Sequence, residues 1–592
     1  MVNADYKQRA AVFSAKAQDL KKKASGVSFT RLLTFLLFVW MVYQCTQQGT
    51  GVVIGLTIAV FGAFLLLVKW YDKLQAQKLF FTALAECNTK EEQFLQTNRS
   101  PYDAGAEFED PHHPYSYDLD LFSEGGLFSH LNRCSTRFGR EALANDLLRP
   151  EVSSIEARQQ AVAELAEKID FRQQLYAYGS LHQSKMKDVE RLLRWVDEDT
   201  KLIDSRWYYL LMIFPLATIG SGFWYAFTAN EEAFSLFSKL FVLNLVIAFS
   251  FARKITSQLS VSSSITKILQ NYSSQLQLVE KENFQSPLLQ KYQEELREKG
   301  RNASYLIGQL ASLFNYLETV VNLVVSLLLN GLFLFHVHIL HRLGKWKNNH
   351  AGNIKTWLNI VGKLEALNSF ANLSCNNPGF SFPQVQTERA FEAANLGHVL
   401  VRESHRVCND VSFNQQKFVI LTGSNMSGKS TFLRTVGTNL VLARAGSAVC
   451  ASRFSFYPFD VFVSMRITDS LQDSESLFYA ELKRLQLIVR SLKANPDIFV
   501  ILDEILRGTN SNDKRNGTIG LIRKLAAFDS YGIIATHDLV VTELAEEYPD
   551  FISNKAFESA IVNDELLFDY KLKDGVCNTL SASYLMKKME II

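Results

Sequence analysis

The sequence predicts three kinds of structure in one chain: helical hairpins that cross a bilayer, an all-α region, and a C-terminal α/β domain with a mostly parallel sheet. Uncharged apolar runs close to the length of a bilayer span predict the hairpins. A short apolar strand followed by a glycine-rich loop and a helix predicts the α/β domain. At 592 residues the chain is too long for one core, and we expect roughly three or four domains.

The composition limits the partners that this chain can have. Lys and Arg total 62 against 60 Asp and Glu, which gives a net charge of +2. This balance argues against a surface that follows nucleic acid throughout, although it leaves room for a local basic groove. The cysteines are widely spaced and form no C-x-x-C pair, which is typical of reduced cytosolic thiols. The seven cysteines are Cys45, Cys87, Cys134, Cys375, Cys408, Cys450 and Cys577.

Two pairs of apolar runs predict two helical hairpins. The first pair covers 31–45 and 52–70, joined by the polar turn "TQQGTG". The second covers 207–227 and 236–251, with Trp and Tyr at its ends and Lys239 placed to snorkel. Runs of this length and polarity indicate four transmembrane helices. The alternative is that they are buried core helices.

The flanking charges predict the orientation of both hairpins. Lys and Arg cluster before and after the first hairpin and follow the second, whereas neither inter-helix loop contains a basic cluster. By the positive-inside rule both hairpins begin and end in the cytoplasm, so we expect a multi-pass protein of the cell membrane. A cleaved signal peptide fits poorly, because about thirty polar residues precede the first apolar run. The flanking cations are Lys21, Lys22, Lys23, Arg31, Lys69, Lys73, Lys78, Arg253 and Lys254.

The stretch "VILTGSNMSGKSTFLRT" predicts a phosphate-binding loop. It contains G-x-x-x-x-G-K-S between an apolar strand and a helix. Gly423 and Gly428 allow backbone N–H groups to turn toward phosphates, and the positive end of the helix adds to the attraction. We expect Lys429 to reach the β- and γ-phosphates, and the Ser430 hydroxyl to bind Mg²⁺.

Two later strands end in polar residues that complete such a site. "PDIFVILDEIL" ends in Asp503 and Glu504, and "YGIIATHDL" ends in His537. An acid at this position can hold Mg²⁺, and the next carboxylate can orient the attacking water. His537 lies where it could sense the γ-phosphate. Together with the loop, these residues predict a P-loop ATPase core with its ATP-binding end in the cytoplasm.

A third apolar run, 319–340, is interrupted by Asn322, Asn330, His336 and His338. A fifth crossing would place the ATP-binding end outside the cell. We therefore expect a buried helical segment, or one that lies on the membrane. Between this run and the second hairpin, 274–300 predicts an amphipathic helix with charges of both signs. Lys345, Trp346 and Lys347 form a small basic-aromatic cluster that fits a membrane-interface anchor as well as a nucleic-acid contact.

The residues of the ATPase motifs resemble those of the MutS family of DNA mismatch-repair ATPases. "TGSNMSGKST" matches the family's T-G-P-N-M-x-G-K-S-T, with Ser424 in place of Pro. "DEILRGTNSND" parallels the family's D-E-x-x-R-G-T-S-T-x-D, with Leu506 where Gly is common, and "SLFYAE" parallels its signature element. The fold implied is an ABC/MutS-type P-loop domain that binds ATP and Mg²⁺. The predicted nucleotide-binding residues are Gly423, Ser424, Asn425, Met426, Ser427, Gly428, Lys429, Ser430 and Thr431.

The same resemblance implies a homodimer with composite ATP sites. In that family the signature segment of one subunit completes the ATP site of the other, which assigns Ser476 a role in trans. The likeness also extends to 117–200 and from 364 to the end, where "LFSEGGLFSHLNRCSTRFGREALANDLLRP" is similar to the start of the family's helical core. The predicted domains are 1–30 (cytoplasmic), 31–70 (hairpin 1), 71–206 (core, first part), 207–252 (hairpin 2), 253–380 (core and lever) and 381–592 (ATPase).

The departures from the family leave the substrate open. We expect no room for the family's N-terminal mismatch-reading domain, because a membrane hairpin is predicted in the first hundred residues. The stretch 200–364, where the family's DNA clamp is expected, is largely the second hairpin and the amphipathic helix. The resemblance implies an ATPase that binds mismatched, damaged or branched DNA in a repair-like role. The alternative is a MutS-derived ATPase whose nucleotide-driven dimer motion acts on a membrane or protein partner. A transporter with a fused ATPase fits less well, because "SESLFYAE" differs from the L-S-G-G-Q element of transporters.

Overall fold

A computed structural model describes residues 5–48, 51–181, 186–198, 203, 205–298, 300–466, 477–562 and 565–577. Helices occupy the chain as far as 376, and an α/β domain follows. The helices of the first part are α1 (Tyr6–Gln48), α2 (Gly51–Thr97), α3 (Leu127–Leu131), α4 (Arg137–Leu148), α5 (Ile155–Glu167), α6 (Ile169–Ser180), α7 (Met186–Asp197), α8 (Ser205–Leu211), α9 (Ile213–Thr228), α10 (Glu231–Ser250), α11 (Ala252–Lys281), α12 (Pro287–Glu295), α13 (Ala303–Glu318), α14 (Leu323–Phe333) and α15 (Phe335–Asn376).

Helices α1 and α2 form one long antiparallel hairpin. Phe35 packs on Phe64 and Phe38 on Phe61, with ring centroids 5.7 and 5.1 Å apart. At 43 and 47 residues, the helices are about 65 and 70 Å long. They therefore extend well beyond the apolar runs, and their polar halves form a stalk that reaches the helical core.

The helical core is built around α15, which packs against α4, α5 and α13, while α11 lies antiparallel to α13. Trp357, Phe370 and Phe314 are fully buried in its centre. Glu365 of α15 is also buried and accepts hydrogen bonds from the backbone and the hydroxyl of Thr136, at 3.1 and 2.6 Å. Since Thr136 caps α4, this contact fixes the start of α4 against α15.

Two expectations for this region are corrected. The amphipathic helix predicted over 274–300 is two helices, α11 and α12, because Pro287 begins α12 and holds Ser286 in an extended conformation. Trp346 and Lys347 lie inside the core instead of at an interface. The Trp346 indole donates to the Leu306 carbonyl at 2.9 Å, and the Lys347 ammonium lies 4.7 Å from the Trp195 ring.

Four helical stretches are long and apolar enough to cross a membrane: 6–47, 51–97, 208–228 and 231–250. At most 17% of each apolar window is buried inside the protein. The alternative that these runs are buried core helices is therefore wrong.

The run at 319–340 breaks into a 3₁₀ turn, α14 and the start of α15. Helix α14 bends by 111° from α13, as in a broken span or a re-entrant loop. It packs on α9 and α10 and leaves most of its apolar side chains exposed, so the expectation of a buried segment is wrong for α14. The remainder of the run, 334–340, is mostly buried, as expected. The alternative, a segment that lies on the membrane, stays a prediction. Phe241 of α10 approaches Gly331 so closely that a Cβ there would lie 2.3 Å from its ring.

The α/β domain contains a six-stranded sheet and a four-stranded sheet. In the six-stranded sheet, five strands are parallel and β12 pairs antiparallel with β11, in the order β12-β11-β6-β10-β9-β8; the other sheet has the order β3-β7-β4-β5. The strands are β1 (Arg297–Glu298) and β2 (Arg301–Asn302) in the core, then β3 (Gln384–Val385), β4 (Phe391–Leu396), β5 (Asn409–Ser412), β6 (Phe418–Gly423), β7 (Arg453–Phe456), β8 (Asp460–Ser464), β9 (Ile498–Asp503), β10 (Tyr531–Ala535), β11 (Ile552–Val562) and β12 (Glu565–Asp574). The helices are α16 (Lys429–Arg444), α17 (Leu477–Ala494), α18 (Ser511–Ala527) and α19 (Leu544–Glu547).

The three buried strands predicted from the sequence are confirmed as β6, β9 and β10. They are adjacent and parallel, with β10 between the other two. Their carboxyl ends therefore meet at one edge, where the predicted polar residues follow them.

Candidate nucleotide-binding site

The loop between β6 and α16 has the backbone that a phosphate cradle requires. Gly428 has a φ of +101° immediately before α16, and a Cβ there would lie 3.0 Å from the Tyr570 ring. Met426, at the tip of the loop, has a φ of +67°, and its side chain is 76% exposed. The loop thus directs backbone N–H groups and the start of a 16-residue helix toward one point.

The Lys429 ammonium lies over this loop. It donates to the carbonyls of Gly423 and Ser424 at 2.8 and 3.1 Å, and its distance to His537 Nε2 is 3.4 Å. Burial lowers the pKa of Lys429, while Glu504 and Asp503 act in the opposite direction. The ammonium is therefore close to both strand-end carboxylates.

Asp503 and Glu504, at the end of β9, face different partners. The Ser430 hydroxyl donates to Asp503 Oδ2 at 2.6 Å, and Asp503 Oδ1 is buried without a hydrogen-bond partner among the described residues. Glu504 Oε1 lies 2.7 Å from His537 Nε2, and this hydrogen bond lowers the pKa of Glu504 to about 2. Glu504 therefore remains a carboxylate at every physiological pH.

Glu504 also has a left-handed backbone, with a φ of +47°. For a non-glycine residue this conformation costs about 1–3 kcal/mol and persists only where the surroundings enforce it. The Glu504 N–H donates to the Ala535 carbonyl of the neighbouring strand at 3.0 Å, which holds the turn in place. The side chain is consequently directed toward His537 and the loop.

Two further residues of this site were missed by the sequence reasoning. Arg507 donates to the Glu504 and Asp503 carbonyls at 3.0 and 3.2 Å. The buried Glu481 of α17 accepts from the backbone N–H groups of Leu506 and Arg507, at 2.6 and 3.2 Å. Glu481 is the last residue of the signature element "SLFYAE", and that motif could have pointed to it in the sequence. Its carboxylate connects the signature helix to the loop after β9.

A cavity of about 420 Å³ opens beside the loop. Ser424 to Thr431 form one wall of it. The segment between β4 and β5 contributes five further lining residues, His398, Val401, His405, Arg406 and Val407. The other residues that line the cavity are Leu396, Asn409, Phe432, Thr435, Glu504, Phe557 and Tyr570.

The site is joined to the helical core by two carboxylates on the segment before α3. Asp118 accepts from the Met465 and Arg466 N–H groups at 2.7 and 2.8 Å, and from Arg484 of α17 at 3.1 Å. Asp120 forms ion pairs with Arg466 and with Arg434 of α16. Both the helix after the phosphate loop and the signature helix therefore contact the core through charged groups.

The structure brings Lys429, Ser430, Asp503, Glu504 and His537 together within direct hydrogen-bonding or ion-pair reach. Asn425, Met426, Ser427 and Thr431 line the cavity beside them. Ser476 lies outside the residues that the structure describes, so its role in trans stays a prediction. The catalytic and binding roles of the other residues also remain predictions.

This fold and site define a P-loop nucleoside triphosphatase. The family model of MutS domain V matches residues 419–591, and that of MutS domain III matches residues 116–371. The chain is therefore a MutS-family protein with domains III and V, and its α/β domain is the ATPase of that family.

Relatives with this similarity include bacterial and human proteins. The DNA mismatch repair protein MutS of Thermotoga petrophila is 30% identical over 226 residues, which cover 37% of this chain and 28% of the relative. The protein of the same description from Thermotoga maritima is 34% identical over 172 residues, 29% of this chain and 21% of the relative. The human MutS protein homolog 4 is 26% identical over 265 residues, 43% of this chain and 26% of the relative. The matched part of the chain thus covers only 21–28% of these relatives' length.

Proposed function

We propose that this chain is a membrane-anchored MutS-type ATPase whose nucleotide-driven dimer motion acts on the lipid bilayer or on a partner within it. One observation carries the proposal. In the stretch where the family resemblance leads one to expect a DNA clamp, the chain has an exposed apolar hairpin, α8 to α10, and the bent helix α14.

The ATP chemistry follows from the polar edge of the sheet. Lys429 steadies the β- and γ-phosphates, Glu504 orients the attacking water, and His537 reports the γ-phosphate while it holds Glu504 in place. The pKa of Glu504, about 2, makes it a weak base, so its role is to position the water more than to take its proton.

The donor set beside Lys429 fits Mg²⁺. The Ser430 hydroxyl and the Asp503 carboxylate are hard oxygen donors in contact with each other, and Asp503 Oδ1 is a buried acceptor without a hydrogen bond in the described chain. These two residues would hold the ion, which neutralises charge on the β- and γ-phosphates when bound.

The membrane location is supported by exposed apolar surface on both hairpins. Contiguous apolar patches larger than a few hundred Å² are rare on soluble proteins. Here large apolar side chains are exposed along both apolar runs of α1 and α2 and again on α9, α10 and α14. With the basic flanks on the side of the core, the four helices fit a cell-membrane protein whose ATPase faces the cytoplasm.

Polar contacts hold together α9, α10 and α14, which we call the second membrane unit. The buried Asn244 of α10 donates to the Thr218 hydroxyl of α9 at 3.0 Å, and to the Gly331 carbonyl of α14 at 2.8 Å. Interhelical hydrogen bonds and small residues are typical of helix association in membranes. We therefore propose that α9, α10 and α14 move as one body.

Helix α15 connects this body to the ATPase. Its 42 residues extend about 63 Å, from the end of α14 almost to the first strand of the α/β domain. Hairpin 1 is also fixed to this helix at its far end, where the Tyr6 hydroxyl donates to Asn376 at 2.7 Å. A rotation of the ATPase domains would thus be transmitted through α15, as one rigid helix, both to hairpin 1 and to the unit of α9, α10 and α14.

We further propose a homodimer with composite ATP sites, since MutS-family proteins typically dimerise. Apolar side chains are exposed next to the loop and on the signature helix, notably Met426, Tyr479 and Leu482. Apolar surface of this kind at a nucleotide site suits a partner subunit. Ser476, just before α17, is the residue predicted to act across that interface.

DNA binding is the second candidate function. It is favoured by the relatives described as DNA mismatch repair proteins, and it would involve mismatched, damaged or branched forms. Binding through phosphates would fall steeply as salt is raised.

The membrane part of the proposal is tested by labelling with a membrane-impermeant maleimide in intact cells. In a cysteine-free background, Thr46→Cys and Asn230→Cys, at the two hairpin tips, should be labelled from outside. The matched controls Lys22→Cys and Arg253→Cys, at the hairpin bases, should be labelled only after lysis. Equal labelling of the tip and base cysteines before lysis contradicts the four-span arrangement. A lack of labelling at both tips and bases after lysis contradicts it as well.

A further inference from the structure

A groove of about 790 Å³ lies between α1 and α2, where the stalk of hairpin 1 meets its apolar part. Its walls change from polar to apolar along the hairpin, and Arg31 lies in the middle, 4.6 Å from the Tyr71 ring. The principal polar lining residues are Lys21, Ser25, Ser28, Arg31, Gln75 and Lys78. The apolar and aromatic ones are Ala24, Phe29, Leu32, Phe35, Phe64 and Tyr71.

Two lysines face each other across the polar end of the groove. The Phe35–Phe64 contact fixes the register of the hairpin. Lys21 lies fourteen residues before Phe35, and Lys78 lies fourteen residues after Phe64. Because fourteen residues are close to four helical turns, both lysines lie on the same face as the phenylalanines. Two ammonium groups and one guanidinium therefore share one groove.

These cations lack a counter-charge within the described part of the protein. Among the described residues, Lys21, Arg31 and Lys78 have no carboxylate within ion-pair distance, whereas Lys23 pairs with Asp19 at 2.8 Å. Cations that line one groove give it a positive potential, which attracts an anion. The groove thus suits a phosphate group at its polar end.

We propose that this groove binds an anionic phospholipid of the cytoplasmic leaflet, with the phosphate between Lys21, Arg31 and Lys78 and an acyl chain along Phe35 and Phe64. The inference rests on the proposed membrane orientation of hairpin 1. The apolar half of the groove favours a lipid over free phosphate, because a free ion would leave the exposed side chains of Phe29, Leu32 and Phe35 uncovered. Basic residues directly cytoplasmic of a span attract anionic headgroups in the same way.

The test is native mass spectrometry of the detergent-purified full chain, titrated with dioleoyl phosphatidylglycerol or dioleoyl phosphatidylcholine. The test variant is Lys21→Gln/Arg31→Gln/Lys78→Gln. The matched control, Lys22→Gln/Lys69→Gln/Lys73→Gln, removes the same charge from residues of the hairpin that do not line the groove. We expect the test variant to bind phosphatidylglycerol roughly 100-fold more weakly than the control, and both to bind phosphatidylcholine alike.

Several outcomes would overturn the inference. One is an equal loss in the two triple variants, which means general attraction to the basic flank. Another is displacement of phosphatidylglycerol by equimolar inorganic phosphate, which means a phosphate site without a lipid role. If the test variant does not fold, Lys78→Glu provides the measurement, since its carboxylate would pair with Lys21; binding as tight as in the unmodified chain would then refute the site.

Carbonate extraction separates this failure from failure of the proposed function. An unmodified chain that carbonate releases from membranes contradicts membrane anchoring itself. A chain that stays in the membrane yet binds both phospholipids equally contradicts only the headgroup site.

Discussion

Removing the carboxylate of Glu91 should destabilise the contact between hairpin 1 and the helical core. Glu91 of α2 and Arg133 of the core form an ion pair whose side chains are only 3% and 8% exposed. Glu91 also accepts from the Tyr102 hydroxyl at 2.9 Å and from the Asn372 amide of α15 at 3.2 Å. The attraction of Arg133 keeps the pKa of Glu91 below its usual range although burial acts in the opposite direction. Both groups are therefore charged.

The magnitude follows from the charge that is left behind. In Glu91→Ala the Arg133 guanidinium remains buried, with aromatic rings 4.3 and 4.9 Å away but no counter-ion among the described residues. Breaking a buried pair in this way costs about 3–5 kcal/mol. For a cooperative unit of 150–250 residues, this corresponds to a midpoint lowered by roughly 10 °C.

The assay is thermal unfolding of the detergent-purified full chain, followed by intrinsic fluorescence. The matched control is Asp197→Ala, which breaks the exposed pair with Lys355 in the same helical core, where the side chains are 61% and 49% exposed. We expect the control to lose less than about 1 kcal/mol. The double variant Glu91→Met/Arg133→Met should recover most of the loss, because it leaves no unpaired charge. If the midpoint of Glu91→Ala lies within 2 °C of that of the control, the two variants differ in stability by on the order of 1 kcal/mol or less. That result would refute the reasoning.

Four further predictions concern the ATP site and the second membrane unit. Lys429→Ala should abolish ATP binding, measured by equilibrium binding of a fluorescent analogue, and retained affinity contradicts its role. Glu504→Gln should bind ATP normally but lose on the order of 10²-fold in kcat, because the attacking water is no longer held in position by a carboxylate; unchanged turnover refutes this role. Because hydrogen bonding lowers the pKa of Glu504 to about 2, protonation of Glu504 should not lower kcat between pH 5 and 8. A fall in kcat toward pH 5 that disappears in Glu504→Gln contradicts this. Asn244→Leu should expose the α10–α14 contact to protease at a cost of about 1 kcal/mol, with Ser238→Leu, at a partly exposed position of the same helix, as its control.

The site was largely predictable from the sequence because its core residues belong to local patterns. A strand, a glycine-rich loop and a helix follow one another directly in "VILTGSNMSGKST", and Asp503, Glu504 and His537 each follow a short apolar strand. Parallel strands bring such carboxyl ends together without any further information. The same locality made the four long apolar helices predictable.

The remaining parts depend on contacts between distant segments. Tyr570 reaches the loop from β12, more than 140 residues later, and the cavity wall before β5 closes on the loop only in the folded sheet. Glu481 acts on the N–H groups of a separate loop. Lys347 was expected in a basic-aromatic cluster at an interface, yet it is buried and lies over the Trp195 ring of α7. The break at Pro287, by contrast, was readable from the proline alone.

The most direct test of the central claim is the ATPase rate of the purified full chain in lipid and with DNA. The rate should be measured in detergent and in phosphatidylglycerol–phosphatidylcholine vesicles, each with and without homoduplex, mismatched and branched DNA, at low and physiological salt. Glu504→Gln serves as the background control. Our account predicts a rate that changes on reconstitution and is indifferent to every DNA. Stimulation by one DNA form that persists at physiological salt, with no effect of lipid, would contradict it and establish the DNA-binding function instead.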